Sequence, residues 1–195
     1  MKYIKQTGLL ALVLLSANLG WAATYEIDTV HSQVGFKIRH FVAKTGGQFD
    51  KFSGKVTFDE KKPADLKAEA TIETASVNTA NQKRDDHLRS PDFFNVEKHP
   101  KITFKSTKAE PQSDGTIKLT GDFTMLGVTK PVTLTVEIGG VAKDPWGGTR
   151  VGFSAKGKVN RKDFGMTYNT VLDTGGVMLG EDVEVLLEVE GVSKK

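Results

Sequence analysis

The sequence predicts an all-β, antiparallel domain of eight strands, closed into a barrel or stacked as a sandwich, with a short helical insert. Three observations carry that prediction. Seven segments alternate apolar and polar residues, the period of a half-buried strand, and an eighth does so less cleanly. Turn sequences rich in Gly, Pro, Asp and Ser stand between them. The chain has 195 residues, 38% of them hydrophobic, with a mean hydropathy of −0.30, enough for one packed domain.

The chain opens with Lys2 and Lys5, then an apolar run from Leu9 to Leu19, then the small residues Gly20 and Ala22 around Trp21. That layout predicts a secretory signal peptide over residues 1–22, cleaved after Ala22. The run is well short of the roughly 20 apolar residues of a membrane helix, so no stable membrane span is expected. Residues 23–195 then form a single domain.

Strand by strand, Val34, Phe36, Ile38 and His40 share one face while Lys37 and Arg39 take the other. Phe52, Gly54, Val56 and Phe58 make the second apolar face, and Leu66, Ala68, Ala70 and Ile72 the third. Ile102 and Phe104 begin a fourth strand. Ile117, Leu119, Gly121, Phe123 and Met125 form the fifth, and Val132, Leu134, Val136 and Ile138 the sixth. Val151, Phe153, Ala155, Gly157 and Val159 form the seventh, and Val183, Val185, Leu187 and Val189 the eighth. Turns are expected at residues 62–65, 111–115, 127–131 and 144–147. Short connections pair consecutive strands antiparallel, and closure removes exposed sheet edges.

Two stretches break the alternation. Between about Thr74 and Pro100, Thr79-Ala80-Asn81-Gln82 resembles a capping box, with two helical turns expected over Gln82 to Arg89. Ser90-Pro91-Asp92 reads as a second helix start. The other break runs from Arg161 to Asp182, with Gly165, Gly175, Gly176 and Gly180. Both hold large apolar residues, so they are expected to pack and to border the functional site.

Composition narrows the function classes. Without cysteine there is no disulfide scaffold, thiolate metal site or Cys nucleophile. The 27 basic residues against 24 acidic fall to 25 against 24 once residues 1–22 are removed, and no basic stripe for nucleic acid is present. His31, His40, His87 and His99 lack metal-site spacing. No Gly-x-Ser-x-Gly elbow or phosphate-binding glycine loop occurs. No cofactor, metal or catalytic residue is therefore predicted. Small residues among large ones on the inward faces leave two outcomes open: a hollow for an apolar guest, or a core filled by phenylalanine rings.

Several ordered motifs resemble the YceI-like family. Tyr25-Glu26-Ile27-Asp28 with His31-Ser32 and Val34 to His40 is similar to its opening. Arg84-Asp85-Asp86-His87-Leu88-Arg89-Ser90-Pro91-Asp92-Phe93-Phe94 resembles its most recognisable stretch. His99-Pro100, Gly127 to Val132, Asp144-Pro145-Trp146-Gly147, Asn160 to Phe164 and Gly180 to Val183 follow in the family's order, covering residues 24–192. The resemblance implies an extended, lipocalin-like antiparallel eight-stranded barrel, exported to the periplasm. It implies a polyisoprenoid or other amphiphilic lipid as partner, a homodimer, and binding or transport without catalysis. Carried over, His31, Arg39, His40, Arg84, Asp85, His87 and Asn169 are expected at the polar end of the site. Phe36, Phe93, Phe94, Phe104, Trp146, Phe164 and Met166 are expected to line it. The alternatives are an isoprenoid-processing enzyme using His87 or Asp163, and a filled-barrel interaction module.

Overall fold

The computed structural model describes residues 22–171 and 177–193. Residues 1–21 of the expected signal peptide, and Gly175 and Gly176 of the second break, lie outside the described residues. The strands are β1 (Ala23–Ile27), β2 (Gln33–His40), β3 (Ala43–Phe49), β4 (Phe52–Phe58), β5 (Lys67–Glu73), β6 (Val77–Asn78), β7 (Lys101–Pro111), β8 (Ile117–Met125), β9 (Val128–Lys143), β10 (Thr149–Asn160) and β11 (Leu179–Ser193). One helix, α1 (Gln82–Arg89), lies between β6 and β7.

All eight alternating segments form strands, and seven of them close with β1 into a barrel rather than a sandwich. The ring runs β1-β4-β5-β7-β8-β9-β10-β11 and closes through β1 on β11, antiparallel throughout. β1, β3 and β6 are additions to the alternating set. They are short or glycine-bearing: β6 has two residues, and β3 carries Gly46-Gly47, so neither shows a period. β2 follows β1 along the same edge of β11, which pairs with Ile27 at Gly191 and with Ile38 at Val183. β3 and β4 likewise follow one another opposite β2 and β1. The barrel is thereby extended beyond its closed ring on the side where β2, β3 and α1 stand.

The turns are tighter than the sequence suggests at one place. β9 starts at Val128, so only Leu126-Gly127, both at positive φ (53° and 77°), joins it to β8. Asp144 organises the β9–β10 turn, its Oδ1 accepting from the N–H groups of Trp146 (3.0 Å) and Gly148 (2.8 Å).

The insert differs from expectation in two respects. Asn81, not Thr79, caps α1: its side chain accepts from the Arg84 N–H at 3.1 Å. Ser90-Pro91-Asp92 does not begin a second helix. Ser90 ends α1, and its carbonyl accepts from the N–H groups of Phe93 and Asn95 in successive turns. Those turns bury Phe93 and Phe94 against the barrel, each 8% exposed, which a continued helix would not do for two adjacent residues.

Candidate functional site

The barrel is solid at one end and hollow at the other. At the solid end Tyr25, Phe58, Ile117 and Val151 are buried together, with Phe58 edge-on to Phe153 at 5.4 Å. Above them Val56, Leu66, Leu119, Val136 and Phe153 form a floor. Beyond the floor the same inward stripes become half-buried: Phe36, Ile38, Ile72, Phe104, Phe123, Val183 and Val185 face inward yet are not fully covered. They line a cavity of about 610 Å³, within the roughly 300–1,000 Å³ typical of small-molecule sites.

Small residues keep the lumen open by taking the large ones flat against the wall. A Cβ on Gly47 would stand 2.6 Å from Phe36 Cζ, and one on Gly121 2.5 Å from Phe104 Cζ. At Gly157 it would stand 2.5 Å from Leu134 Cδ2. Phe36 and Phe104 therefore lie on glycine backbone instead of meeting on the barrel axis. The phenylalanines fill space locally, as one reading of the inward faces expects, and the hollow survives because they fill it at the wall.

The cavity opens beside α1. Lys83, Arg84 and His87 are exposed and also border it, together with His40 and Thr45 of the β2–β3 hairpin. Thr79 anchors this side. Asp85 Oδ1 accepts from the Thr79 N–H at 2.9 Å and from its hydroxyl. Arg84 donates from Nε to Thr79 Oγ1 and from Nη2 to Thr79 O, both at 2.7 Å. Arg89 continues the stitching, donating to the carbonyls of Ala75 (2.8 Å) and Val77 (2.9 Å). His87, Phe93 and Tyr168 form a trio of rings with centroids 5.0 Å apart at the rim.

Of the residues expected at the site, Phe36, His40, Arg84, His87, Phe93, Phe94, Phe104 and Met166 line the cavity. Six do not. Arg39 lies on the outer face, as its place beside Ile38 and His40 in the strand period requires, and donates to the Phe41 carbonyl at 3.0 Å. Asp85 is 6% exposed and spent on Thr79; it does not pair with Arg89, which binds Asp86 at 3.0 Å instead. Trp146, 82% exposed, sits in the β9–β10 turn at the solid end. Phe164 is buried behind Phe123, edge-on at 5.4 Å, and backs the wall without forming it. Asn169 acts as a strand partner for β11: its Oδ1 accepts from the Leu179 N–H (3.0 Å) and its Nδ2 donates to the Leu179 carbonyl (2.8 Å).

His31 belongs to a charge cluster on the outer rim. Its Nδ1 stands 2.8 Å from Asp28 Oδ2, and Arg150 Nη1 reaches the same oxygen at 2.8 Å and also binds Glu190. Asp28, His31 and Glu190 are close enough together to hold a cation, but the Arg150 guanidinium already takes both carboxylates. Hydrogen bonds from His31 and Arg150 hold the Asp28 carboxyl far below the usual carboxylate range. Hydrogen bonds to Asp28, Glu190 and Asp144 push Arg150 above its ordinary value.

Four residues at the site lacked a sequence signal: Thr45, Thr79, Tyr168 and Met178 line the cavity from segments without alternation. Arg161 is a fifth case. It is 1% exposed, and burial lowers its pKa from the ordinary value while Glu181 opposes that shift. Its Nε donates to the Gly180 carbonyl (2.8 Å), and its Nη1 to the carbonyls of Met166 (2.7 Å) and Tyr168 (2.8 Å). It pins the second insert to β11. The acid–base candidates do not converge: His87 Nε2 pairs with exposed Asp92 at 2.9 Å, whereas Asp163 pairs with Lys130 at 3.6 Å.

Residues 25–191 match the family model of the YceI-like domain. Protein YceI of Escherichia coli O157:H7 is 44% identical over 188 residues, 95% of each chain. Among solved structures, BcnA of Burkholderia cenocepacia superposes with a TM-score of 0.73 at 26% identity, over 84% of this chain and 98% of that one. A polyisoprenoid binding domain from Saccharophagus degradans, implicated in plant cell wall breakdown, shares the fold with a TM-score of 0.64 at 14% identity, over 89% of this chain and 99% of that one.

Proposed function

Since this chain belongs to the YceI-like family, we propose that its barrel is a binding protein for a long-chain isoprenoid or a similar amphiphilic lipid, held tail-first in the cavity. In this reading the protein is exported to the periplasm, loses residues 1–22, and carries its lipid without altering it covalently. One observation supports the reading above the rest: a hollow of about 610 Å³ with Val, Ile, Leu and Phe walls, whose exposed cationic side chains, Lys83 and Arg84, stand only at its mouth. At roughly 30 Å³ per water-sized group, it accommodates about twenty carbon-sized groups of a tail. A guest with a phosphate or other polar head would leave that head beside Lys83, Arg84 and His87. A polyisoprenoid binding domain from Saccharophagus degradans shares this fold, which agrees with a lipid tail in the cavity.

The energetics suit exchange. Taking a methylene from water contributes about 0.8 kcal/mol, but a tail that arrives from a bilayer is already out of water. Transfer between bilayer and barrel is then near neutral for the tail, and the lipid can be released as readily as it is taken up.

The test is ligand recovery. Protein purified from cells is expected to carry an apolar molecule, seen by native and then denaturing mass spectrometry. Stripped protein is expected to take up polyprenyl phosphate, with a melting temperature raised by roughly 5–10 °C at a hundredfold excess over Kd. The lipid should be recovered at unchanged mass. Empty protein that neither binds added lipid nor shifts its melt would sink the reading, and a changed lipid mass would favour an enzyme.

A further inference from the structure

We propose that the tip of the β2–β3 hairpin, Phe41 and Val42, is a docking element that seats the cavity mouth on a lipid bilayer bearing anionic headgroups. The proposal rests on reading the cavity as a lipid site.

The tip is built against local preference. His40 pairs with Ala43, so the turn has two residues, and Phe41 has a φ of 49°. In a two-residue hairpin turn, a positive φ at the first central position favours Gly there. The chain meets that preference only in part at the β8–β9 turn, where Gly127 follows Leu126. At β2–β3 it places a phenylalanine and a valine instead, 45% and 102% exposed. Neither side chain packs into the core, so folding does not account for the choice.

The tip also adjoins the mouth. The Phe41 ring stands edge-on to His40, centroids 4.7 Å apart, and His40 lines the cavity. The Phe41 N–H donates to the Met178 carbonyl at 2.9 Å, and Met178 N–H donates to the Thr170 carbonyl at 3.0 Å. Val171, 76% exposed, therefore joins the same rim. Cations flank it: Arg39 donates to the Phe41 carbonyl, and exposed Lys83 borders the same cavity. Neither makes an ion pair among the described residues.

Size and shape select the occupant. Three side chains on a convex tip offer far less than the roughly 800 Å² per partner of a stable protein interface. They suffice for shallow insertion among lipid tails, where no complementary surface is required, and the flanking cations complement anionic headgroups. A lipid would then pass between bilayer and cavity without crossing water. Trp146, the other large exposed aromatic among the described residues, lies at the opposite end of the barrel: β10 and β11 run from the Thr149–Ser193 pair near it to the Asn160–Asp182 pair near the mouth.

Flotation with vesicles of phosphatidylcholine, with and without phosphatidylglycerol, tests the proposal on the full-length processed protein. Association is expected to need the anionic lipid and to weaken with salt. The paired substitution Phe41→Gly with Val42→Asn, which suits a turn with positive φ at its first position only, is expected to weaken association about tenfold or more while the melting temperature holds or rises. Trp146→Gln is expected to leave association unchanged, and the emission of Phe41→Trp in a Trp146→Phe background should shift to the blue on adding vesicles. Loading from detergent, measured separately, should be intact in the paired variant; if the cavity never loads while flotation still depends on the tip, the lipid-site reading fails and docking stands. Equal flotation of native and paired variant, no flotation of either, or a tip that alters only self-association would overturn the proposal.

Discussion

At the residue scale, the hollow depends on what each glycine faces. Gly47 meets mostly side-chain atoms, Phe36 Cζ and Thr79 Cγ2 at 2.6 and 2.7 Å from a built Cβ. Gly121 meets backbone as well, Lys105 O at 2.6 Å. Gly47→Ala is therefore expected to push the Phe36 ring into the lumen and weaken lipid binding about tenfold, at a stability cost toward the low end of the roughly 1–3 kcal/mol of overpacking. Gly121→Ala must also move a strand, and its cost should exceed that of Gly47→Ala. Binding titrations paired with thermal melts check both. Unchanged binding by Gly47→Ala would show that Phe36 has room elsewhere, contrary to its seat on the wall.

At the element scale, α1 is short and polar, and its position comes from side chains that grip the preceding segment. Asp85 satisfies the buried Thr79 N–H, and among the described residues no other acceptor stands in for it. Asp85→Ala is expected to cost about 1–3 kcal/mol for that unmet donor and to speed amide exchange over residues 79–89. Protection equal to the native chain would refute the anchoring role. Existence of the helix over Gln82 to Arg89 was readable from its polar cap and length, but its purpose was not. In sequence, Asp85 and Arg89 have the i,i+4 spacing of a surface pair. Only the packing of 75–79 against α1 turns Asp85 inward to Thr79 and Arg89 across to two carbonyls. Ser90-Pro91-Asp92 misleads for a related reason: burial of two adjacent rings, Phe93 and Phe94, outweighs a favourable helix start.

At the scale of the whole molecule, the barrel closes where β1 meets β11 by only a short ladder. A charge cluster reinforces that seam: Arg150 from β10 binds Asp28 beyond β1 and Glu190 on β11, and Asp144 at 3.2 Å. Because the folded carboxyl of Asp28 titrates below its ordinary value of about 3.9, its contribution is complete above about pH 4 and is lost as pH falls toward the folded value. Melting temperature is expected to fall with acid in that window. Asp28→Asn should lower it at neutral pH by roughly 2–4 °C per kcal/mol lost and flatten the acid limb. A variant as acid-sensitive as the native protein would place the labile group elsewhere.

What the sequence determined by itself was the wall. Period-two alternation assigns Phe36 and His40 to the inside and Arg39 to the outside whatever the strands pair with, because successive side chains on a strand point to opposite faces. The tertiary structure decided whether that wall encloses anything. Rings on one strand come to rest on glycines of another, Thr79, Tyr168 and Met178 reach the rim from segments without a period, and Arg161 holds the rim to β11. Those relations join residues far apart along the chain, so no local pattern carries them.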